Sequence, residues 1–227
     1  AKLKKKLSDD AFEYIYDMSD TTVFGDEIFR MSFKECIDND PPLLVDYKII
    51  GIGVSDREIK RYIRERRYVS AKESIDEIAN NYALEKVMTD YNAHHAITFH
   101  SRVSLAKRFS ERHNDLVPAH YSEYVSGEQP TSHRSRVLDT FKRVPAGVVS
   151  NARCLTEGID VPAIDLIYFC DPKNSMVDIV QAVGRVLRLD PSGKKEIGYV
   201  VVPIFHTAGE DVDECVDKSV FKNLVQV

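Results

Sequence analysis

Between about residue 95 and residue 205, short apolar segments rich in β-branched residues alternate with segments of helical periodicity. Strands separated by helices pair in parallel, because each helix returns the chain to the edge of the sheet from which it started. A parallel sheet is covered by helices on both faces. The alternation therefore predicts an α/β domain of three layers with a mostly parallel central sheet. Predicted strands cover residues 95–100, 116–120, 147–150, 164–170 and 197–205, and predicted helices include residues 105–113, 134–143 and 176–187.

The region before residue 95 predicts one further strand and two further helices. Residues 46–54 (DYKIIGIGV) are apolar and β-rich, which is typical of a buried strand. Ser55 is a good N-cap for a helix over residues 56–67, and a longer helix is predicted over residues 74–91. A solvated face is the favoured interpretation of the basic residues on the first helix, and phosphate contact is the alternative. These residues are Arg57, Lys60, Arg61, Arg64, Arg66 and Arg67.

Composition limits the classes of function. The 227 residues carry 31 Lys and Arg against 36 Asp and Glu, a formal net charge of -5. A strongly basic coat is excluded, so contact with nucleic acid requires a local basic surface. No apolar run approaches the roughly 20 residues that span a membrane. None of the 4 cysteines forms a C-x-x-C pair, so a zinc site is not predicted and a cytoplasmic protein with reduced thiols is expected.

The strongest motif is the segment QAVGRVLR, residues 181–188. At about 100° per residue on a helix, Gln181, Gly184, Arg185 and Arg188 share one narrow arc. Apolar residues occupy the opposite side, which predicts packing on the sheet. Arginine forks donate two hydrogen bonds to one phosphate, and the glycine permits close approach. The pattern therefore favours phosphate binding over a solvated helix face.

A second motif, TEGIDVP, occupies residues 156–162 after the strand at 147–150. Ligands of open α/β sheets bind at loops that follow the carboxyl ends of the strands. Gly158 permits a tight turn, and Asp160 could accept hydrogen bonds from a ribose or an arginine. Taken alone, the segment fits an ordinary turn at least as well.

Together the two motifs resemble those of the second, C-terminal RecA-like motor domain of superfamily-two helicases and translocases of the DEAD/DEAH-like kind. The arginine segment corresponds to motif six of that family, the G-x-D loop to motif five, and ITFHSR at residues 97–102 to motif four. The order and spacing of the three agree. The segments SNARCLTEGIDVP at residues 150–162 and DIVQ at residues 178–181 resemble large predicted helicases of the restriction–modification type.

The resemblance implies an ATP-dependent motor in which ATP and Mg²⁺ are bound mainly by a first, N-terminal RecA-like domain. Neither a G-x-x-x-x-G-K-[ST] loop nor a D-E-x-H box is present among these 227 residues, so this chain alone is expected to be inactive. Residues 1–45 would connect the two motor domains, and residues 46–227 would form the second, with a helical insertion at about 55–92. The implied phosphate-facing residues are Gln181, Arg185 and Arg188; those of the nucleotide and coupling site are Gly158, Asp160 and Gly184; those on the DNA backbone are Ser101, Arg102, Asn151, Arg153 and Thr156.

Two alternatives stay open at this point. A related motor could act on RNA or on protein, because the net charge does not discriminate among these tracks. A non-catalytic interaction domain could retain the fold without the chemistry, although the presence of both Arg185 and Arg188 argues against it.

Overall fold

The computed structural model describes residues 2–6, 12–16, 20–26, 28–29, 31–65, 75–152, 164–171, 176–190, 193 and 195–210. The chain divides into two compact units, residues 1–42 and residues 43–227. In the first unit, strands β1 (Lys2–Lys6) and β2 (Phe12–Tyr16) pair antiparallel. Two short helices follow, α1 (Thr21–Phe24) and α2 (Phe33–Asp38).

The second unit is built on a parallel sheet of six strands. In chain order its elements are β3 (Asp46–Ser55), α3 (Asp56–Glu65), α4 (Ile75–Asp90), β4 (His95–His100), α5 (Val103–Leu116), β5 (Tyr121–Ser126), α6 (Thr131–Phe141), β6 (Gly147–Ala152), β7 (Leu166–Phe169), α7 (Met176–Val186) and β8 (Ile197–His206). The strand order is β3-β8-β7-β4-β6-β5, and every neighbouring pair is parallel. The predicted fold class is confirmed. All six carboxyl ends therefore meet at one edge of the sheet, which we call the carboxyl edge.

Helices cover the sheet on both faces. On β7, Leu166 and Tyr168 pack into a core with α4 and Phe109 of α5. Side chains alternate along a strand, so the buried Ile167 and Phe169 point to the opposite face. Helix α7 packs against β7 and β8 and supplies a buried apolar stripe of its own. The apolar side of α7 that the sequence indicated therefore faces the sheet.

Helix α4 is an integral part of this core. Ala83, Leu84 and Val87 are fully buried, and the hydroxyl of Tyr168 in β7 donates a hydrogen bond of 3.1 Å to Asn80 Oδ1. Removing apolar surface of this extent from water is a main source of stability for such a domain. The helices within residues 56–90 therefore contribute to the core that stabilises the sheet.

One predicted strand was wrong. Residues 116–120 were expected to form a strand because Leu116 and Val117 are apolar. Instead, Leu116 completes the buried side of α5, and Val117 ends the helix with its N–H donating to the carbonyl of His113. The strand is Tyr121–Ser126, whose sequence YSEYVS alternates polar and apolar residues. As an outer strand of the sheet, β5 needs less continuous apolar character than the central strands.

The basic helix α3 has a solvated face, as the favoured interpretation predicted. Ser55 and Glu58 form a capping box, in which Glu58 N–H donates to Ser55 Oγ and Ser55 N–H donates to the Glu58 carboxylate. Its described basic residues, Arg57, Lys60, Arg61 and Arg64, are all exposed. Lys60 pairs with Asp56 at 2.7 Å, and Arg61 pairs with Glu65 at 3.5 Å. Exposed pairs of this kind contribute little stability.

Candidate functional site

Helix α7 carries the first group of predicted site residues. Its inner side is buried at Ile179, Val183 and Val186, whereas Gln181 is exposed and Arg185 is half-buried. The two-sided pattern read from the sequence thus holds along the helix. Gly184 lies half-buried beside Arg185, so no side chain intervenes at that position. The outer side of α7 therefore presents Gln181, Gly184 and Arg185 away from the buried apolar side.

Arg188 does not lie on that helix, which corrects the expectation of a single helical arc. Helix α7 ends at Val186, and Arg188 forms an antiparallel bridge with Leu44. Beside it, the Val45 N–H donates a hydrogen bond of 2.8 Å to the carbonyl of Leu187. The chain has therefore turned into an extended conformation by residue 188. The direction of Arg188 is set by tertiary pairing and not by helical periodicity.

A glycine in β8 permits this change of direction. A Cβ added to Gly198 would lie 2.8 Å from the carbonyl oxygen of Val186, the last residue of α7. Backbone atoms at that distance cannot move aside as a flexible side chain can. Strand β8 and the end of α7 therefore approach each other at a distance that only glycine allows.

Lys195 holds the extended segment that follows α7 in place. Its Nζ donates a hydrogen bond of 2.8 Å to the carbonyl of Arg188. Burial lowers the pKa of Lys195 to about 8, against the opposing effect of Asp165 and Asp190. The ammonium is therefore still charged at pH 7. It holds the backbone of Arg188 through a charge-assisted bond.

The second group of predicted residues lies at the carboxyl edge. Ser101 and Arg102 follow β4 directly and both are exposed. Arg102 is the N-cap residue of α5 and makes no side-chain capping bond. The backbone N–H of Ser101 donates a hydrogen bond of 2.8 Å to Asp171 Oδ2, just beyond β7. An exposed guanidinium at the start of a helix, beside free surface, is suited to a phosphate.

Beneath this loop, β4 and β6 bury polar side chains. Thr98 Oγ1 donates to Ser150 Oγ at 3.2 Å and lies 2.9 Å from His100 Nε2. Burial lowers the pKa of His100 to about 4, although Asp171 opposes the shift. His100 is therefore neutral near pH 7, and it supports the loop without adding charge to it.

Asn151 differs from its expected role. It lies in β6 paired with Phe99 of β4, and only 1% of it is exposed. A buried strand residue does not present its side chain to a nucleic-acid backbone. The expectation followed from its place near the end of a short predicted strand, but β6 continues to Ala152. The other expected contacts and coupling residues, Arg153, Thr156, Gly158 and Asp160, lie outside the described residues.

One basic residue at the carboxyl edge was missed. Arg134 is half-buried in the first turn of α6, close after β5. Its Nη1 donates to the carbonyl of Gln129 at 2.6 Å, and its Nη2 donates to Thr131 Oγ1 at 3.2 Å. The turn sequence GEQP ahead of a helix could have indicated it, because helix starts at this edge are where α/β domains bind ligands. Arg134 thus adds a positive charge on the segment that follows β5.

The opposite edge of the sheet holds a cavity of about 820 Å³. It is lined by residues of mixed charge, among them His94, His95, Lys142, Asp165, Asp190 and Lys195. Asp165 accepts backbone hydrogen bonds from His94 at 2.8 Å and from His95 at 2.9 Å, and burial raises its pKa. Within the part of the chain that the structure describes, no group of three or more His, Cys, Asp or Glu could hold a metal ion. Among the same residues, none of the helices has the length and apolar character that a bilayer span requires.

Comparison with known proteins agrees with this arrangement. Residues 79–190 match the family described as helicase conserved C-terminal domain. The whole chain is similar in structure to 16% of an ATP-dependent type ISP restriction–modification enzyme, LlaBIII, bound to DNA, with a TM-score of 0.76 and 28% identity.

Two curated yeast relatives share parts of the sequence. A Saccharomyces cerevisiae protein assigned as the ATP-dependent helicase IRC3 is 32% identical over 92 residues, which are 36% of this chain and 13% of that protein. The ATP-dependent rRNA helicase SPB4 of Vanderwaltozyma polyspora is 29% identical over 130 residues, 54% of this chain and 20% of that protein. The chain therefore spans a fifth or less of the length of these relatives.

Proposed function

Because the chain carries the C-terminal domain of superfamily-two helicases, with structural similarity to a restriction–modification enzyme, we propose that it is the second motor domain of an ATP-dependent DNA helicase or translocase. ATP and Mg²⁺ would be held mainly by a first RecA-like domain, which is the proposed partner of this chain. Residues 46–227 would form the motor domain, and residues 1–45 would connect it to the first. The compact unit at 43–227 supports that boundary. A cytoplasmic location, with free Cys36 and Cys170, belongs to the same proposal.

The proposed role of Gln181, Arg185 and Arg188 is to approach the nucleotide phosphates from this domain. Phosphoryl transfer depends on positioned positive charge, because negative charge is spread over the equatorial oxygens in the transition state. Arg185 lies beside Gly184 on the outer side of α7, where it is half-buried. Arg188 would act from the extended segment, held there by Lys195. Gly158 and Asp160 would connect the nucleotide to the track.

The proposed track is the DNA backbone at the carboxyl edge. Ser101 and Arg102 would contact phosphates together with Arg153 and Thr156, whereas the burial of Asn151 removes it from this set. Phosphate contacts position a protein without reading sequence, which suits a motor that moves along any strand. Closure of the two domains on ATP and reopening after hydrolysis would advance the protein.

The observation that carries the proposal is the match of the entire chain to a DNA-bound restriction–modification enzyme. Similarity to an rRNA helicase over 54% of the chain supports RNA as the second candidate track. A protein track or a non-catalytic role has no comparable observation in its favour. DNA is therefore the proposed track.

The test is the steady-state ATPase activity of the complete protein with no polymer, with duplex DNA, with single-stranded DNA and with RNA. We expect stimulation by DNA and no measurable turnover by residues 1–227 alone, because phosphoryl transfer needs the phosphate loop. Arg185→Ala should lower the DNA-stimulated kcat about a hundredfold or more, with a smaller effect on the KM for ATP. Arg143→Ala, at an exposed position near the opposite edge, is the charge-matched control and should leave kcat unchanged.

Each alternative has its own result in this assay. Stimulation by RNA alone would replace DNA as the track. Turnover that no nucleic acid stimulates would favour a protein track, and absence of turnover in the complete protein would leave a non-catalytic domain. Near-normal kcat in Arg185→Ala would remove that arginine from the proposed site.

A further inference from the structure

Aspartates at both ends of β7 hold the neighbouring strand β4. At the amino end, Asp165 accepts the N–H groups of His94 and His95 at 2.8 and 2.9 Å. At the carboxyl end, Asp171 Oδ2 accepts the N–H of Ser101 at 2.8 Å. The amino-end clamp lies far from any proposed ligand. The carboxyl-end clamp holds the loop that carries Arg102.

The Asp171 clamp joins two segments with different proposed partners. Ser101 is followed by Arg102, which begins α5 and is exposed at the carboxyl edge. Asp171 precedes by five residues the start of α7, the helix that carries Arg185. A hydrogen bond therefore ties the loop that carries Arg102 to the segment directly after β7.

The chemistry of the bond suits a positioning role. A carboxylate that accepts a backbone N–H forms a charge-assisted bond, which is stronger than a bond between neutral groups. The carboxylate also lies before the first turn of α5, where the helix dipole favours negative charge. Arg102 makes no side-chain capping bond, and Asp171 instead binds the backbone N–H of the residue before it.

We propose that Asp171 is a positioning residue that holds the Ser101–Arg102 backbone in place for the DNA strand. The proposal rests on the proposed motor function. In this proposal Asp171 contacts neither ATP nor DNA, and it acts through the backbone N–H of Ser101.

The test compares Asp171→Ala with Asp171→Asn in the complete protein. The alanine variant lacks the acceptor and should raise the DNA concentration for half-maximal ATPase stimulation about tenfold, the size expected for one charge-assisted hydrogen bond. Its kcat at saturating DNA should fall less than that concentration rises. The asparagine variant retains an acceptor oxygen and should recover most of the loss. Asp139→Ala removes an exposed carboxylate on α6 and should change neither quantity.

A second measurement separates positioning from general damage to the fold. Hydrogen exchange at the start of α5 should become faster in Asp171→Ala, whereas exchange in the β4 strand itself should not change. An unchanged DNA requirement in Asp171→Ala would overturn the proposal, and so would a parallel loss of DNA binding, kcat and thermal stability. If the wild-type ATPase does not respond to DNA at all, the proposed function fails first, and that outcome is visible before any variant is made.

Discussion

Lys195 donates a hydrogen bond of 2.8 Å from its ammonium to the backbone carbonyl of Arg188, directly after the helix that carries Arg185. The bond fixes the extended segment in which Arg188 pairs with Leu44. Its donor is half-buried, and burial lowers the pKa of that ammonium to about 8. The position of the second proposed arginine finger thus depends on a lysine that no motif includes.

Lys195→Met should lower the DNA-stimulated kcat of the complete protein by about tenfold. The variant retains an unbranched side chain but cannot donate to Arg188, so the guanidinium is less well placed for the transition state. The KM for ATP should change less than kcat, because the misplacement acts mainly on the transition state. Lys195→Arg retains a donor and should keep more activity than the methionine variant. Equal activity of the two variants would show that the bond has no role in turnover.

Gly198→Ala should destabilise the second unit by about 1–3 kcal/mol, the usual cost of overpacking. The added Cβ would lie 2.8 Å from the backbone carbonyl oxygen of Val186, which cannot move without distorting α7. Gly51→Ala is the comparison, because its Cβ would meet the flexible end of Ile204 at 2.9 Å. In urea denaturation of residues 1–227, the free energy of unfolding should be highest for the wild type, lower for Gly51→Ala and lowest for Gly198→Ala. The reverse ranking of the two variants would contradict the proposed close approach.

Arg102→Ala should weaken DNA binding by the complete protein at low salt and reduce the slope of log K against log[salt] by about one, the value for one lost phosphate contact. Nucleotide affinity should stay nearly constant, since Arg102 lies on the loop after β4 and not on α7. Fluorescence anisotropy across a salt series gives the slope. Arg143→Ala should leave it unchanged. A slope in Arg102→Ala equal to that of the wild type would exclude Arg102 from the track.

The stability of the domain should fall as the pH decreases from about 6.5 to about 4, in part because of His100. Burial lowers the pKa of His100 to about 4 in the folded state, against 6.5 for an unperturbed histidine. The unfolded chain binds more protons in this window, so the contribution of His100 is complete above pH 6.5 and is lost as the pH falls. The full loss amounts to about 3 kcal/mol. His100→Gln should flatten the pH dependence of the urea midpoint between pH 7 and pH 4, and an unaltered profile would contradict the buried neutral state.

Most of the second unit could be predicted from hydrophobic periodicity, because its strands and helices have distinct patterns. The central strands β4 and β6 and the apolar side of α7 followed directly from the sequence. Strand β5 was displaced to residues 116–120 because the apolar end of α5 and the start of a strand look alike over a few residues. Its true sequence, with serines and a glutamate, has the weaker signal of an outer strand.

The positions of the candidate site residues were less predictable, because contacts between residues distant in the sequence determine them. Helical periodicity placed Arg185 on the outer side of α7, but it could not show that the helix ends before Arg188. The end of α7 depends on Leu44, which is remote in the sequence, and on Gly198, which lies in strand β8. Asn151 was expected at the surface, whereas it lies in β6 between β4 and β5 and is buried. Asp171 belongs to none of the motifs recognised in the sequence. Its contact with Ser101 becomes visible only when the ends of β4 and β7 are placed side by side.

The pairing of β3 with β8 has a consequence for synthesis on the ribosome. Asp46 aligns with Ile197, so the two partners lie about 150 residues apart in the chain. At a typical 5–20 residues per second, β3 leaves the exit tunnel roughly 10 seconds or more before its partner. During that interval the backbone N–H and C=O groups of the apolar segment KIIGIGV have no β8 strand with which to pair. The pairing of β3 with β8 is therefore the last to form, and the charged helix α3 follows β3 directly, which is the kind of neighbour that discourages an unpaired strand from pairing with other chains.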